Sequence, residues 1–164
     1  MQQPLTLFTI GFTHKSAEEF FTLLRDAGVQ RVADVRLNNT SQLAAFTKKD
    51  DLVYFLREIV GIPYVHLPEL APTQAMLDAY KKLKGDWAAY ERDFLKLLEK
   101  RRVAATLSRD LMDGACLLCS EAEPEHCHRR VITDYLAAHW PGVSVKHLVT
   151  PRGRRSRRPA EDER

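Results

Sequence analysis

Short β-prone runs alternate with amphipathic segments along most of the chain, and this alternation constrains the fold more than any other feature. The first run, LTLFTIG at 5–11, ends at a glycine and is typical of a strand. Ser16 and Gly28 then bracket AEEFFTLLRDA, whose apolar residues recur at helical spacing, so a helix is predicted there. A strand, a helix and a second strand in succession indicate a βαβ unit and a parallel sheet.

The same alternation continues to about residue 149. Further strands are predicted at 30–36, 62–67, 114–119 and 143–149. Further helices are predicted at 50–61, over 73–112 with breaks near 84–86 and 101–102, and at 125–140. The sequence therefore predicts an α/β fold: a single three-layer, Rossmann-like domain over residues 1–149 with a mostly parallel sheet of about five strands.

The net charge of +3 comes from the last segment of the 164-residue chain. Residues 150–164 hold six of the 25 lysines and arginines and three of the 22 acidic residues, so the body is electrically balanced. A balanced body argues against a domain built around nucleic acid, which normally carries a basic face. The segment lacks periodicity, so we expect a disordered arginine-rich tail, the only part through which nucleic acid is expected to bind.

The sequence also predicts a location. Its apolar runs stay well short of the roughly 20 residues that a membrane-spanning helix needs, and its start lacks a signal-peptide pattern. Three cysteines, an odd number, fit a reducing compartment better than a disulfide framework. We therefore expect a cytoplasmic protein without membrane association.

Polar residues with reactive chemistry follow four of the predicted strands. They are Thr13 and His14 after the first strand, Asp34 and Arg36 at the end of the second, His66 at the third, and Cys119 and Glu121 at the fourth. Ligands of parallel α/β sheets bind beyond the carboxyl ends of the strands. We therefore expect these side chains to converge on one rim of the sheet.

Four motifs resemble a bacterial and archaeal family catalogued as domain of unknown function 488. In the family's order, they are TIGFTHKS (9–16), DVR (34–36), PYVHLPEL (63–70) and LLCSEAEPEHCHRR (117–130). The resemblance extends over residues 5–149 and is most specific in the last motif. It implies a small α/β domain, but it implies no established reaction and no catalytic residue.

The last motif permits an interpretation as an activated thiol beside an anion. Cys127, His128 and Arg129 are predicted in the first turn of the last helix, after Pro124, where the helix dipole attracts negative charge and lowers a thiol pKa. Arg129 and Arg36 would grip a phosphate or carboxylate, with Thr13, Asp34 and His128 completing the ligand site. Cys119 or Cys127 would be the nucleophile or redox thiol, and Glu121, His14 or His66 the proton-transfer group.

This interpretation predicts a small enzyme acting on an anionic, phosphate-bearing or nucleotide-like ligand. A metal site is a second interpretation, in which Cys119, Cys127 and His128 bind zinc or iron. Cys116 is excluded from it because residues three apart on a strand face opposite sides of the sheet. In the third, these residues are structural and the protein is a non-catalytic ligand- or nucleic-acid-binding module. The sequence leaves the cofactor, if there is one, and the oligomeric state open.

Overall fold

A five-stranded parallel sheet organises the fold. The structure, a computed structural model, describes residues 3–40, 45–81, 83–121 and 124–150. The strands are β1 (Leu5–Gly11), β2 (Arg31–Asp34), β3 (Tyr64–His66), β4 (Ala115–Cys119) and β5 (Val143–Leu148). All neighbouring strands pair in parallel, which confirms the predicted sheet, whereas the predicted tail lies outside the described residues.

The strand order is β3-β2-β4-β1-β5. It differs from the 3-2-1-4-5 order of the Rossmann fold because β4 lies between β1 and β2. Gly11 of β1 is in register with Cys119, and Asp34 of β2 is in register with Leu118. The carboxyl ends of β1, β4 and β2 therefore lie side by side, and this adjacency positions the candidate site.

Helices cover both faces of the sheet, as the three-layer prediction requires. The helices are α1 (Ala17–Ala27), α2 (Lys49–Phe55), α3 (Gln74–Lys81), α4 (Trp87–Lys100), α5 (Val103–Thr106), α6 (Arg109–Met112) and α7 (His128–His139). On one face, Phe20 of α1 and Leu52 of α2 pack in a cluster that includes Cys116 of β4. On the other face, Phe94 of α4 and Leu136 of α7 pack in a cluster that includes Leu117. Central parallel strands are buried on both sides, so β4 is apolar throughout.

The helix boundaries follow capping signals in the sequence. Ser16 caps α1 by accepting a hydrogen bond from the Glu19 amide at 3.1 Å, and Gly28 ends the helix in the left-handed conformation. The helix predicted at 50–61 is α2 followed by a π-helical turn over Leu56–Val60, which ends at Gly61 with φ of 77°. The predicted helical region 73–112 comprises α3 to α6, with breaks at both expected places.

The start of the last helix differs from the prediction. We expected a helix from residue 125 with Cys127 in its first turn, whereas α7 begins at His128 and Cys127 is its N-cap residue. Cys127 has extended backbone angles, φ −134° and ψ 139°, and its amide donates to the Pro124 carbonyl, which closes the preceding turn. The first turn of α7 therefore contains His128 and Arg129 but not Cys127.

Candidate thiol–imidazole site

A cleft of about 780 Å³ opens where the carboxyl ends of β1, β2 and β4 meet the start of α7. Seven of the ten side chains predicted for the site line this cleft: Thr13, His14, Arg36, Cys119, Glu121, Cys127 and His128. The other three, Asp34, His66 and Arg129, lie outside the lining. The structure thus brings most of the predicted residues together, and it gives the remaining three other roles.

Cys119 and His128 are nearly buried residues of the cleft lining, and they are in direct contact. His128 Nδ1 lies 3.3 Å from Cys119 Sγ, and His128 Nε2 lies 2.8 Å from the Val35 carbonyl oxygen. A carbonyl oxygen only accepts hydrogen bonds, so Nε2 carries a proton and donates it. Nδ1 therefore faces the sulfur, where it accepts a hydrogen bond from the thiol or, when protonated, donates one to the thiolate. The sequence had indicated His128 as a ligand-binding or metal-binding residue, not as the partner of Cys119.

The surroundings of this pair favour its charged form. Burial raises the pKa of a thiol, but the neighbouring Cys127 thiol, His128 and Arg129 outweigh burial at Cys119, and its pKa lies well below the ordinary value. Burial likewise lowers the pKa of His128, but the Cys119 thiolate outweighs this effect and the pKa is raised. Both shifts favour the thiolate–imidazolium form of the pair.

The other two cysteines remain protonated. Burial and the adjacent Cys119 thiolate raise the pKa of Cys127. Burial in the apolar cluster with Phe8 and Ile10 raises the pKa of Cys116, which lies on the face of β4 opposite Cys119, as predicted. Cys119 is therefore the nucleophile candidate of the three.

Arg129 is fully buried and lies outside the cleft lining, whereas the sequence predicts that it grips an anion. Its side chain is fully buried, Nη1 donates to the Glu121 carbonyl oxygen, and Nε donates to Thr9 Oγ1 at 3.3 Å. Nη1 also lies 3.7 Å from Cys127 Sγ. From this position Arg129 contributes positive charge near the thiols and holds the chain after β4.

The arrangement around Arg129 depends on a glycine. A side chain at Gly11 would overlap the Glu121 carbonyl oxygen and would lie 2.6 Å from Arg129 Nη1. Because both contacts lie at the carboxyl end of β1, glycine is required there for close approach. This requirement couples the TIG sequence of β1 to the loop after β4.

Arg36 reaches the cleft as one member of a buried ion pair. Its Nε and Nη2 atoms each lie 2.9 Å from an oxygen of the Asp34 carboxylate, and Nη2 also donates to the Thr47 carbonyl at 2.6 Å. Tyr64 donates its hydroxyl hydrogen to Asp34 Oδ2 at 2.5 Å. Burial and this carboxylate raise the pKa of Tyr64. Asp34 therefore positions Arg36, and it lies outside the cleft lining, whereas the sequence predicts it as a ligand-binding residue.

None of the three predicted proton-transfer residues has a hydrogen bond to Cys119 in the described part of the chain. His66 Nε2 donates to the Arg36 carbonyl at 3.1 Å. Glu121 lies 3.7 Å from Lys81 Nζ, and His14 is exposed with φ of 60°. In the described part of the chain, the imidazole that contacts the Cys119 sulfur is that of His128.

Aromatic side chains form another part of the cleft lining. Trp87 stacks on Tyr90 with ring centroids 5.1 Å apart and on His126 with centroids 5.2 Å apart, and Tyr80 packs against both Trp87 and Tyr90. Trp87 and Tyr90 both line the cleft, and Tyr90 also belongs to the buried core. Phe12 and Phe46 also line the cleft. The cleft thus offers flat apolar surfaces beside the thiol.

The metal hypothesis also has a geometric basis. The ligand atoms of Cys119, Cys127 and His128 lie within 4.8 Å of one another. Tetrahedral zinc with two thiolates and an imidazole requires separations of roughly 3.5–3.8 Å between its ligand atoms, so small side-chain shifts would suffice. Metal-binding histidines usually donate their other ring N–H to a carbonyl or carboxylate, as His128 donates to Val35. The residues therefore fit a three-ligand metal site that is open to the cleft.

The fold and site define a class of protein: a parallel α/β domain with a thiol–imidazole cluster at the carboxyl ends of its strands. Residues 16–136 match the family described as Domain of unknown function DUF488, and the chain belongs to this family. The match begins at the last residue of the TIGFTHKS motif and contains the other three motifs. No curated protein and no solved structure matches the chain. Within the described residues, none of the helices combines the length and apolarity needed to cross a bilayer.

Proposed function

We propose that this protein is a cysteine-dependent enzyme in which Cys119 attacks an electrophilic group of an anionic, nucleotide-like ligand. The observation that carries the proposal is the contact of Cys119 Sγ with His128 Nδ1, while Val35 fixes the other ring nitrogen. A nucleophile, a base in contact with it and a third group orienting the base make up the arrangement found in covalent catalysis. Here the cleft gives a ligand access to the sulfur.

Charge in the cleft supports an anionic ligand. Among the described lining residues, Lys15, Arg36 and Lys81 are cationic and Glu121 is anionic. Arg36 forms an ion pair with Asp34, but its Nη1 atom makes only a long contact, 3.4 Å, with Thr47 Oγ1. Nη1 is therefore the guanidinium nitrogen best able to donate to a ligand. The ligand's anionic group would lie between Arg36 and the lysines.

The aromatic lining supports a ligand with a planar ring. Trp87 is half-buried in the cleft wall, whereas the second tryptophan, Trp140, donates its indole N–H to the Ala104 carbonyl and is absent from the lining. A nucleobase could stack on the aromatic wall while its phosphate approaches Arg36. Trp87 would then report binding through its fluorescence.

The test is to titrate the protein with AMP, adenosine and inorganic phosphate while recording tryptophan fluorescence. We expect AMP to quench the signal and to bind about tenfold more tightly than adenosine, because it adds a charge-assisted contact. AMP should also slow the alkylation of Cys119 by iodoacetamide. Trp87→Phe should abolish the fluorescence response while Cys119 remains protected. Equal affinities for AMP and adenosine would contradict the anionic ligand, and unchanged alkylation would separate the ligand from the thiol.

A second candidate function is that of a metalloprotein, which the spacing of Cys119, Cys127 and His128 favours. Zinc bound by these residues would leave an open coordination position toward the cleft and would supply Lewis-acid chemistry there. Elemental analysis of protein purified without chelator tests this candidate. About one equivalent of zinc or iron, lost in Cys119→Ser but retained in Cys116→Ser, would support it. Less than about half an equivalent in the wild type would count against it.

A further inference from the structure

We infer that Cys119 and Cys127 form a redox pair that a hydroperoxide converts to an intramolecular disulfide. The inference deepens the proposed function, on which it rests only in taking the Cys119 sulfur as reachable from the cleft. Disulfide formation is a chemical modification of the site, whereas the proposed function is the catalytic turnover of a ligand. The substrate class is a small hydroperoxide, and the reductant that restores the thiols is a low-molecular-weight thiol.

The geometry of the two sulfur atoms carries the inference. Both cysteines are free, both line the cleft, and their Sγ atoms lie within 4.8 Å of each other. A disulfide requires about 2.05 Å between the sulfurs, so the remaining gap is on the scale of side-chain rotation. Cys119 ends β4 and Cys127 caps α7, so neither residue lies in the middle of a regular element that would resist adjustment.

The surroundings of the three cysteines also determine which two of them are joined on oxidation. Cys116 is the remaining cysteine of the chain, and it lies on the opposite face of β4 in an apolar cluster. It is fully buried, whereas Cys119 and Cys127 border a cleft that can admit a small oxidant. Oxidation should therefore join Cys119 to Cys127 and leave Cys116 as a thiol.

The reaction proceeds in two balanced steps. The sulfur of Cys119 attacks the O–O bond of the hydroperoxide, forming a sulfenic acid and releasing an alcohol, or water when the oxidant is hydrogen peroxide. The Cys127 sulfur then attacks the sulfenic sulfur, the S–S bond forms and water leaves with the thiol proton. The dithiol loses two electrons and two protons, and the hydroperoxide is reduced by two electrons. Two equivalents of a low-molecular-weight thiol reverse the change and are oxidised to their own disulfide.

The experiment treats the reduced, metal-free full chain with hydrogen peroxide, blocks remaining thiols with iodoacetamide and measures intact mass. All three cysteines lie between Arg109 and Arg129, so trypsin would leave them in one peptide. A glutamate-specific protease is needed because it cuts after Glu121 and Glu125, between Cys119 and Cys127. Cys116 and Cys119 stay in one fragment, so tandem mass spectrometry of the joined fragments identifies which of them is bonded. We expect wild-type protein to lose two hydrogen atoms and to yield these two fragments joined by a disulfide that glutathione reduces.

Matched variants decide the assignment. Cys116→Ser should form the disulfide with a yield within about twofold of the wild type, because Cys116 does not take part. Cys127→Ser should form no intramolecular disulfide and should instead give a sulfenic acid at Cys119 that dimedone traps. Circular dichroism checks that each variant is folded. If Cys127→Ser does not fold, the wild-type fragment map and the disulfide yield of Cys116→Ser decide the question together, because Cys116 and Cys119 share one fragment.

Three results would overturn the inference: oxidation of Cys119 to sulfinic acid without a disulfide, a disulfide that includes Cys116, or a disulfide between two chains. Failure of the proposed function is a separate result. If AMP neither binds nor protects Cys119 and the disulfide still forms, the nucleotide-like ligand is refuted and the redox pair stands. If AMP protects Cys119 and no disulfide forms, only the redox pair is refuted.

Discussion

Cys116 and Cys119 lie three residues apart on one strand, and the fold gives them opposite chemistry. Cys116 lies in the middle of β4, surrounded by apolar side chains of the α1 and α2 face. Cys119 ends the same strand, beside an imidazole, a second thiol and a cleft. Both side chains are nearly or fully buried, so burial alone does not distinguish them.

The difference between the two thiols has two physical causes. Alternation along the strand sends the two side chains to opposite faces of the sheet. The position along the strand then matters because only the carboxyl end meets the loops and the start of α7, which supply His128 and the cleft. Cys119 is activated by the polar groups that contact it at the end of the strand, and Cys116 lacks such contacts among the described residues. The exposed fraction of the side chain does not explain the difference.

The largest effect should come from removing the buried cation that supports the polar end of β4. Arg129→Met should lower the free energy of unfolding by about 3 kcal/mol, because the buried Thr9 hydroxyl and the partly buried Glu121 carbonyl lose their charged donor. Arg130→Met is the matched control, since Arg130 forms partly exposed ion pairs with Glu91 and Asp134 and should cost less than about 1 kcal/mol. Urea denaturation of both variants measures the difference. Equal losses would show that Arg129 does not support this end of the strand.

Alkylation at low pH tests the comparison directly. At pH 6.5 an ordinary thiol is about 1% thiolate, whereas Cys119 has a lowered pKa and should remain largely ionised. Iodoacetamide should therefore modify Cys119 more than about 100-fold faster than Cys116 at this pH, because burial raises the pKa of Cys116 above that of an ordinary thiol. The Cys119 rate should fall only once the pH drops below its lowered pKa. Tandem mass spectrometry of each site measures the rates. A Cys119 rate that falls tenfold per unit from pH 8.5 to 6.5 would contradict the activation.

Replacing the imidazole should reduce the contrast between the two thiols. His128→Asn removes the cation beside Cys119, so the thiol pKa should rise and alkylation at pH 6.5 should slow about tenfold. His66→Gln is the control, because His66 bonds to the Arg36 carbonyl and has no hydrogen bond to Cys119 among the described contacts. The pH profile of alkylation measures both variants. A larger shift in His66→Gln than in His128→Asn would return the base role to His66.

The smallest effect concerns stability at the two cysteines themselves. Cys116→Ser places a hydroxyl in an apolar cluster and should lower the free energy of unfolding by about 1 kcal/mol. Cys119→Ser should cost less than about 0.5 kcal/mol, because the hydroxyl can retain the hydrogen bond with His128. Thermal or urea unfolding compares the two. The reverse order would mean that Cys119 belongs to the packed core in the same sense as Cys116.

The sequence predicted the architecture because its signals are local. Alternating runs located all five strands, and capping residues such as Ser16 and Gly61 located helix ends. The exclusion of Cys116 from the cluster also follows from local geometry, since strand alternation requires only the spacing of residues. The strand order, with β4 between β1 and β2, depends on long-range packing that no single segment encodes.

The site was predicted in composition but not in pairing. His128 and Arg129 are adjacent on α7, so about 100° of helix rotation separates their side chains and only one of them lines the cleft. Which one does so depends on the residue at which the helix begins, and our prediction began α7 three residues early. Lys81 reaches the cleft from α3, although the local sequence predicts only a solvated helix face there. No short motif joins this segment to the strand ends, so its place in the cleft depends on the tertiary fold.

The central position of β4 constrains how the chain can assemble. In the finished sheet, β1 and β2 have no hydrogen bonds to each other, and each pairs with β4, which comes more than seventy residues after β2. As the polypeptide leaves the ribosome, β1 and the β2–β3 pair cannot join until residues 115–119 emerge. Sheet closure should therefore be a late, cooperative event dominated by contacts distant in sequence, which slows folding. The strand that carries Cys119 is thus also the strand whose arrival unites the two halves of the sheet.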